Sequence, residues 1–527
     1  MDILFRDGSD KKVVTLSDEV LDDLAIPEII EAITIREEEQ IILKKIFSEI
    51  PQDLEDTKYR QEIMADILGN DNLAFDLGEA LGSVKILRDY SNRAPILNTK
   101  EQSVFKLLED MRELSVYIDS VEKIYECLEK AELSSKGLIG LRDELGKIIK
   151  SEDFNQAKDD VKRLLSELSE VKSIMVGINL TPDLNIEEIV DVEFCDYYFK
   201  PRVTFEEVLS KISIIGAASH GSGAQGPDVP GNSFDIYHVD PIMTTLAPLM
   251  DKRLKKYYRV LKNTLIKHLN IDGYFITDLM EGLVFYVLMA KFAKRLRGDG
   301  HKICTPALND SRVFKLSNFY NVRLAIRREE DIVLNDFEFL TDERIFILTG
   351  PNRGGKTIIE QAVGIASLMS AVGGFVTADE CTGTPFKNIL THFPQDENLT
   401  INYGRLGEEA IRTKEIARVA DSDTLVLCNE TYSTTSSDDG LYLSRDLLHV
   451  LKDKGVAVIF NTHIHELASQ VDEMNEWDGE SKIVSVVMEI VNEQNTFKIK
   501  KSAPDRNSHA RNVALKYGIT YEQMTEQ

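Results

Sequence analysis

The chain has 527 residues, 43% hydrophobic and 29% charged, a balance that excludes a disordered protein and a length that exceeds one ordinary core. Its formal net charge of −27 excludes a protein that coats nucleic acid indiscriminately, because phosphate binding needs local positive potential. No run of about 18 uncharged apolar residues occurs, and the opening MDILFRDGSDKK carries acids and bases where a secretion signal needs an apolar stretch, so a cytoplasmic protein with no membrane partner is expected.

In chain order, residues 1 to about 212 repeat apolar residues at spacings of three and four, as in REEEQIILKKIFSEI and FNQAKDDVKRLLSELSEVKSI. This predicts an α-helical half. One interruption at 174–199, with β-branched runs and Pro182, predicts a few strands or a turn. The stretch GAASHGSGAQGPDVPGN at 216–232 has nothing to bury and predicts a mobile loop. Helical patterns resume at Asp240 and break near Gly273. Two basic stretches lie here, KRLKKYYRVLK at 252–262 and KFAKRLR at 291–297. Each is either a nucleic-acid contact or a solvated helix face. Cys127, Cys195, Cys304, Cys381 and Cys428 form no CxxC pair, so neither a disulfide framework nor a zinc site is expected.

Near residue 305 the texture changes to short apolar runs divided by helices: RIFILTG, a helix from Lys356, GGFVTA, TLVLCNE, a helix through YLSRDLLHVLKDKG, then VAVIFNTH. That alternation predicts βαβ units and a parallel sheet with its ligand at the carboxyl ends of the strands. The expected fold is therefore mixed, all-α over 1–304 and α/β over 305–527.

Between RIFILT and the following helix stands GPNRGGKT, residues 350–357, with Gly350, Gly355, Lys356 and Thr357 at the spacing GxxxxGK[ST]. Glycines let backbone N–H groups wrap phosphates, and a helix N-terminus adds positive partial charge. The loop residues Gly350, Pro351, Asn352, Arg353, Gly354 and Gly355 are thus candidate phosphate contacts, with Lys356 for the β and γ phosphates and Thr357 for Mg²⁺. The run TLVLCNE brings Asn429 and Glu430 to the same sheet edge, Glu430 as the residue that polarises a water. At the preceding position Asn429 keeps an acceptor oxygen for Mg²⁺ but lacks the usual charge, so weaker magnesium retention is expected. His463, ending VAVIFNTH, is a candidate γ-phosphate contact, and His465 has a plain surface role.

These motifs, in this order, resemble the ATPase domain of the MutS mismatch-repair family. The similar segments are LTGPNRGGKTIIEQAVGIASLMSAVGGFVTA, NETYSTTSSDDGLYLS, NTHIHEL and PDRNSHARNVALKYGI, within about residues 310–520. The helical part resembles the family's core and lever region through YRQEIMADIL and helix content, with a reduced clamp-like insertion near 174–245. The resemblance implies an ABC-like ATPase using ATP and Mg²⁺, working as a homodimer on mismatched, branched or damaged DNA, with a MutL-like partner. It places a signature at NYGRLGEEAIR, where Gly404 and Gly407 would face the partner's nucleotide while Leu406, Gly407 and Glu408 replace the family's Ser-Thr-Phe. It also places Asn335 and Phe337, in IVLNDFEF, near the adenine, against the plain alternative of a turn between strands. The wedging Phe-x-Glu of the family's recognition domain has no counterpart in MDILFRDGSDKKVVTL, so mismatch reading by an intercalating aromatic is not expected. On the DNA reading, Lys252, Arg253, Lys255 and Lys256 are the backbone contacts. The alternatives are an ATP-gated scaffold for a protein partner and an ATP-binding switch with very low turnover.

Overall fold

The computed structural model describes residues 2–91, 104–169, 171–183, 186–199, 255–268, 274–329, 331–351, 353–394, 405–479, 481–491, 494–503 and 520–525. The loop expected at 216–232 lies outside them, as do Lys252, Arg253, Asn352 and Gly404. The strands in chain order are β1 (Val13–Thr15), β2 (Glu49–Pro51), β3 (Ser173–Leu180), β4 (Ile186–Cys195), β5 (Ala307–Leu308), β6 (Phe314–Phe319), β7 (Asn335–Phe339), β8 (Glu343–Thr349), β9 (Glu380–Gly383), β10 (Asn388–His392), β11 (Thr424–Asn429), β12 (Ala457–Asn461), β13 (Lys482–Val491) and β14 (Gln494–Lys501). The chain divides into two compact units, one of residues 1–82, 123–144 and 278–527, the other of 83–122 and 145–277.

The first unit is built on a six-stranded sheet ordered β10-β11-β12-β8-β13-β14. All neighbours are parallel except the β13–β14 hairpin. Strands β11 and β12 are buried at every position, as expected where helices cover both faces of a parallel sheet. The helices Lys356–Ala371 and Ser437–Asp453 supply the crossovers. The second begins where Ser436 accepts a hydrogen bond from the Asp439 N–H at 3.2 Å, a side-chain cap reinforced by two acids in the first turn. The core on one face gathers Ile345, Ile347, Val426, Cys428, Leu448, Leu451, Val458 and Phe460. Phe460→Ala is expected to cost about 3–5 kcal/mol, read as a lowered urea midpoint, since its ring is fully buried.

A four-stranded sheet, β5-β9-β6-β7, adjoins in sequence. GGFVTA, expected as a strand, is not one. Only Val376 makes a bridge, to Cys304, and β9 begins later at Glu380. The run is apolar because it is buried at the end of the helix Lys356–Ala371, and burial alone does not impose a ladder.

The first 304 residues are not purely helical. Helices Ile26–Ile33, Glu37–Ser48 and Leu54–Gly69 pack around the buried Met280–Gly298, but β1 and β2 form an antiparallel pair beside them. Three-residue strands are too short to leave a period in the sequence. The basic run at 291–297 ends the helix Met280–Gly298, where Arg295 and Arg297 donate to the Ala32 and Leu68 carbonyls and Lys294 pairs with Asp71 at 3.1 Å. Cations at a helix C-terminus complement its dipole, which accounts for this cluster without nucleic acid. The five cysteines are free thiols.

The second unit packs the ribbon β3–β4 on helices, around Leu107, Met111, Leu164, Ile189, Val192 and Leu261. The ribbon falls where strands were expected. Lys255 and Lys256 stand in the first turn of the helix Lys255–Lys267. Among the described residues no helix is long and apolar enough to cross a membrane.

Candidate functional site

Strand β8 runs apolar to Thr349 and meets the loop at Gly350, whose φ of 150° belongs to glycine. A Cβ there would lie 2.7 Å from the Met488 Cβ, so the β13 strand closes the loop from one side. Gly355, at φ 92°, opens the helix, and a Cβ there would come within 3.2 Å of the Phe497 ring. The loop is thus wound tightly by glycines, closed on itself by the Gly354 N–H donating to the Pro351 carbonyl at 3.1 Å, and braced by the β13–β14 hairpin. Lys356 is almost wholly buried and its ammonium donates to the Gly350 carbonyl at 3.1 Å and the Pro351 carbonyl at 3.4 Å. Burial pushes its pKa down, while Glu430 and Glu360 hold it up.

The cavity at the helix N-terminus, about 430 Å³, is lined by Arg353 through Ile358 together with Glu430 and His463. The structure therefore brings the loop, the end of β11 and the segment after β12 to one place. The Thr357 hydroxyl donates to the Asn429 Oδ1 at 3.2 Å. At Glu430 the backbone turns off the strand with a φ of 53°, a left-handed conformation that a non-glycine residue adopts only where its surroundings hold it. The Glu430 N–H is tied to the Asn461 carbonyl at 2.8 Å, and its carboxylate lies 2.7 Å from the His463 Nε2.

Gly407 stands in the first turn of the helix Arg405–Val419. Asn335 and Phe337 are engaged elsewhere. The Asn335 amide donates to the Phe497 carbonyl at 3.0 Å and its oxygen accepts from the Ile499 N–H at 2.9 Å, which pins β7 to β14. Phe337 packs edge-on against Phe339 and tilted against Phe346, with centroids 5.0 and 4.8 Å away.

Two residues escape the motif reading. Strand β12 lies between β8 and β11, with Asn461 beside Asn429 on one side and Leu348 on the other. Its side-chain amide donates to the Asn429 Oδ1 at 2.7 Å and to the Glu360 Oε2 at 3.2 Å. Glu360 is fully buried one turn into the helix from Lys356. The signal was present: an acid in the apolar face IIEQAVGIASLM, and an Asn ending the run VAVIF. Nothing local says that the two meet.

A triphosphate and a hard cation fit these residues. The loop is a cradle that Cβ atoms would fill, its lysine is buried at the helix mouth, and the oxygens of Thr357, Asn429 and Glu430 are hard donors. The Glu360 Oε1 and Asn461 Oδ1 lack hydrogen-bond partners, so acceptor capacity remains beneath the site.

These features define a parallel α/β domain whose glycine-rich loop joins a central strand to a helix N-terminus. Residues 346–525 match the model of MutS domain V, so this segment is similar to that domain of the MutS family. Relatives include the Endonuclease MutS2 of Staphylococcus aureus (strain JH9), 25% identical over 252 residues, which are 47% of this chain and 30% of that protein. The Endonuclease MutS2 of Geobacillus kaustophilus (strain HTA426) is 26% identical over 191 residues, 36% of this chain and 23% of that protein. The match spans less than a third of the length of either relative.

Proposed function

We propose that this protein is a MutS-type ATPase acting on DNA in repair or recombination, with residues 305–527 as its engine. The observation that carries the reading is the convergence of Lys356, Thr357, Glu430 and His463 on one cavity at the ends of three parallel strands, with Asn429 hydrogen-bonded to Thr357. In this reading the loop amides and Lys356 hold the phosphates of ATP, and Thr357 would hold Mg²⁺ while Asn429, in the metal-side position, accepts the Thr357 hydroxyl proton. Bound Mg²⁺ neutralises charge that builds on the phosphates. The Glu430 carboxylate orients water and accepts its proton, and His463 holds that carboxylate in place. Asn335 and Phe337 serve here by anchoring the neighbouring strands. A second copy of the chain offers the helix Arg405–Val419, with Gly407 in its first turn and Gly404 next before it in sequence, to the same nucleotide, so that ATP closes the dimer on mismatched, branched or damaged duplex.

The test is ATP turnover and salt-dependent DNA binding by the full chain. Neutralising Lys252, Arg253, Lys255 and Lys256 together is expected to lower the slope of log affinity against log salt by about 3 to 4. Nucleotide-dependent capture of a protein with no DNA affinity at any salt favours the scaffold instead. Two observations support a slow-turnover switch as the second reading: Asn429 brings no charge to the metal position, and Glu430 is already engaged by His463. Single-turnover hydrolysis, fast or slow, separates the two.

A further inference from the structure

An aspartate at the end of β11 would be symmetric, since both of its oxygens accept. Asn429 is not: one end of its side chain accepts and the other donates. For Thr357 to turn its lone pairs toward a cation, its hydroxyl proton must go to an acceptor, so the amide at 429 has one useful orientation and one harmful one. In the harmful one an NH₂ faces the hydroxyl, and Thr357 spends a lone pair accepting it.

The structure shows what selects the useful orientation. The Asn429 Oδ1 accepts from Thr357 at 3.2 Å and from the Asn461 Nδ2 at 2.7 Å. The second hydrogen of that Nδ2 goes to the Glu360 Oε2 at 3.2 Å. Reversing Asn461 would take its Nδ2 away from both the Glu360 Oε2 and the Asn429 Oδ1, and both of these hydrogen bonds would be lost. Glu360 is fully buried and its other oxygen has no partner, a costly arrangement that stability alone does not explain. Burial pushes the Glu360 carboxyl pKa well up, while the hydrogen bond from Asn461 opposes that shift.

We infer that Glu360 and Asn461 are positioning residues: the buried carboxyl orients the Asn461 amide, which orients Asn429 so that Thr357 presents its lone pairs to magnesium. The chain thereby makes up for an uncharged residue where an acid would need no orienting. This inference rests on the nucleotide-site reading and deepens it.

The test is calorimetric binding of a nonhydrolysable ATP analogue, with and without Mg²⁺, to the full chain and to Glu360→Met, Asn429→Asp and the double variant. Glu360→Met is expected to weaken magnesium-dependent binding about tenfold or more, the usual effect of losing a group behind a metal ligand, and to leave binding without Mg²⁺ unchanged. Its melting temperature is expected to change little, because relief of the buried, half-paired acid offsets the loss of its hydrogen bond from Asn461. In the Asn429→Asp background the same substitution is expected to change magnesium-dependent binding less than about twofold, because a carboxylate accepts in either orientation. Asn461→Ser removes the bridge with Glu360 in place and is expected to repeat the pattern, which serves if Glu360→Met does not fold. An equal loss with and without the Asn429→Asp substitution, or no loss in either background, overturns the inference while the nucleotide site stands. Failure of the unaltered chain to bind the analogue overturns both.

Discussion

Lys356→Met is expected to weaken ATP binding about 100-fold, a loss of about 3 kcal/mol for one charge-assisted contact. The ammonium is nearly buried at the mouth of the helix Lys356–Ala371, so little water screens it from a phosphate. Its removal also leaves Glu430 and Glu360, the two acids that hold its pKa up, without their cation. Methionine keeps the aliphatic stem, so the helix and sheet are expected to persist. Isothermal calorimetry checks the affinity, and far-ultraviolet circular dichroism checks the fold. Undiminished affinity in a folded variant would remove the loop from the proposed mechanism.

Glu430→Gln is expected to lower single-turnover hydrolysis about 10²- to 10⁴-fold, the range for a positioned general base, with ATP affinity largely kept. The glutamine fills the same space and accepts from a donor, but it takes no proton from water. The carboxylate sits where a left-handed backbone turn presents it to the cavity, 2.7 Å from the His463 Nε2. His463→Ala frees that carboxylate and is expected to slow turnover less than Glu430→Gln does, because histidine here holds the base and does not replace it. Rapid-quench measurement of a single turnover decides this, since product release is then out of the comparison. Equal rates for the unaltered chain and Glu430→Gln would show that another group activates the water.

Both predictions concern residues that could be read from the chain. GPNRGGKT announces itself because two of its three glycines answer a local demand, a positive φ at Gly350 and Gly355 and close approach of Met488 and Phe497. Strands β8, β11 and β12 were legible as apolar runs between helices, since burial on both faces confines their polar residues to the strand ends. The short strands β1, β2, β5 and β9 were not, because two to four residues hold no period and their partners lie far along the chain. GGFVTA misled for the opposite reason: it is apolar enough for a strand but is buried as a connector.

By itself the sequence determined the chemistry at hand: a phosphate-shaped loop, a lysine, a hydroxyl, an acid and a histidine, each recognisable within a few residues of its own strand or helix. Only the tertiary structure decided which of these meet. Lateral strand order is set by non-local packing, and it is the insertion of β12 between β8 and β11 that puts Asn461 within reach of both Asn429 and Glu360. A hydrogen bond acts over about 3 Å, whereas Glu360 and Asn461 stand 101 residues apart along the chain, so their partnership exists only once the sheet has formed.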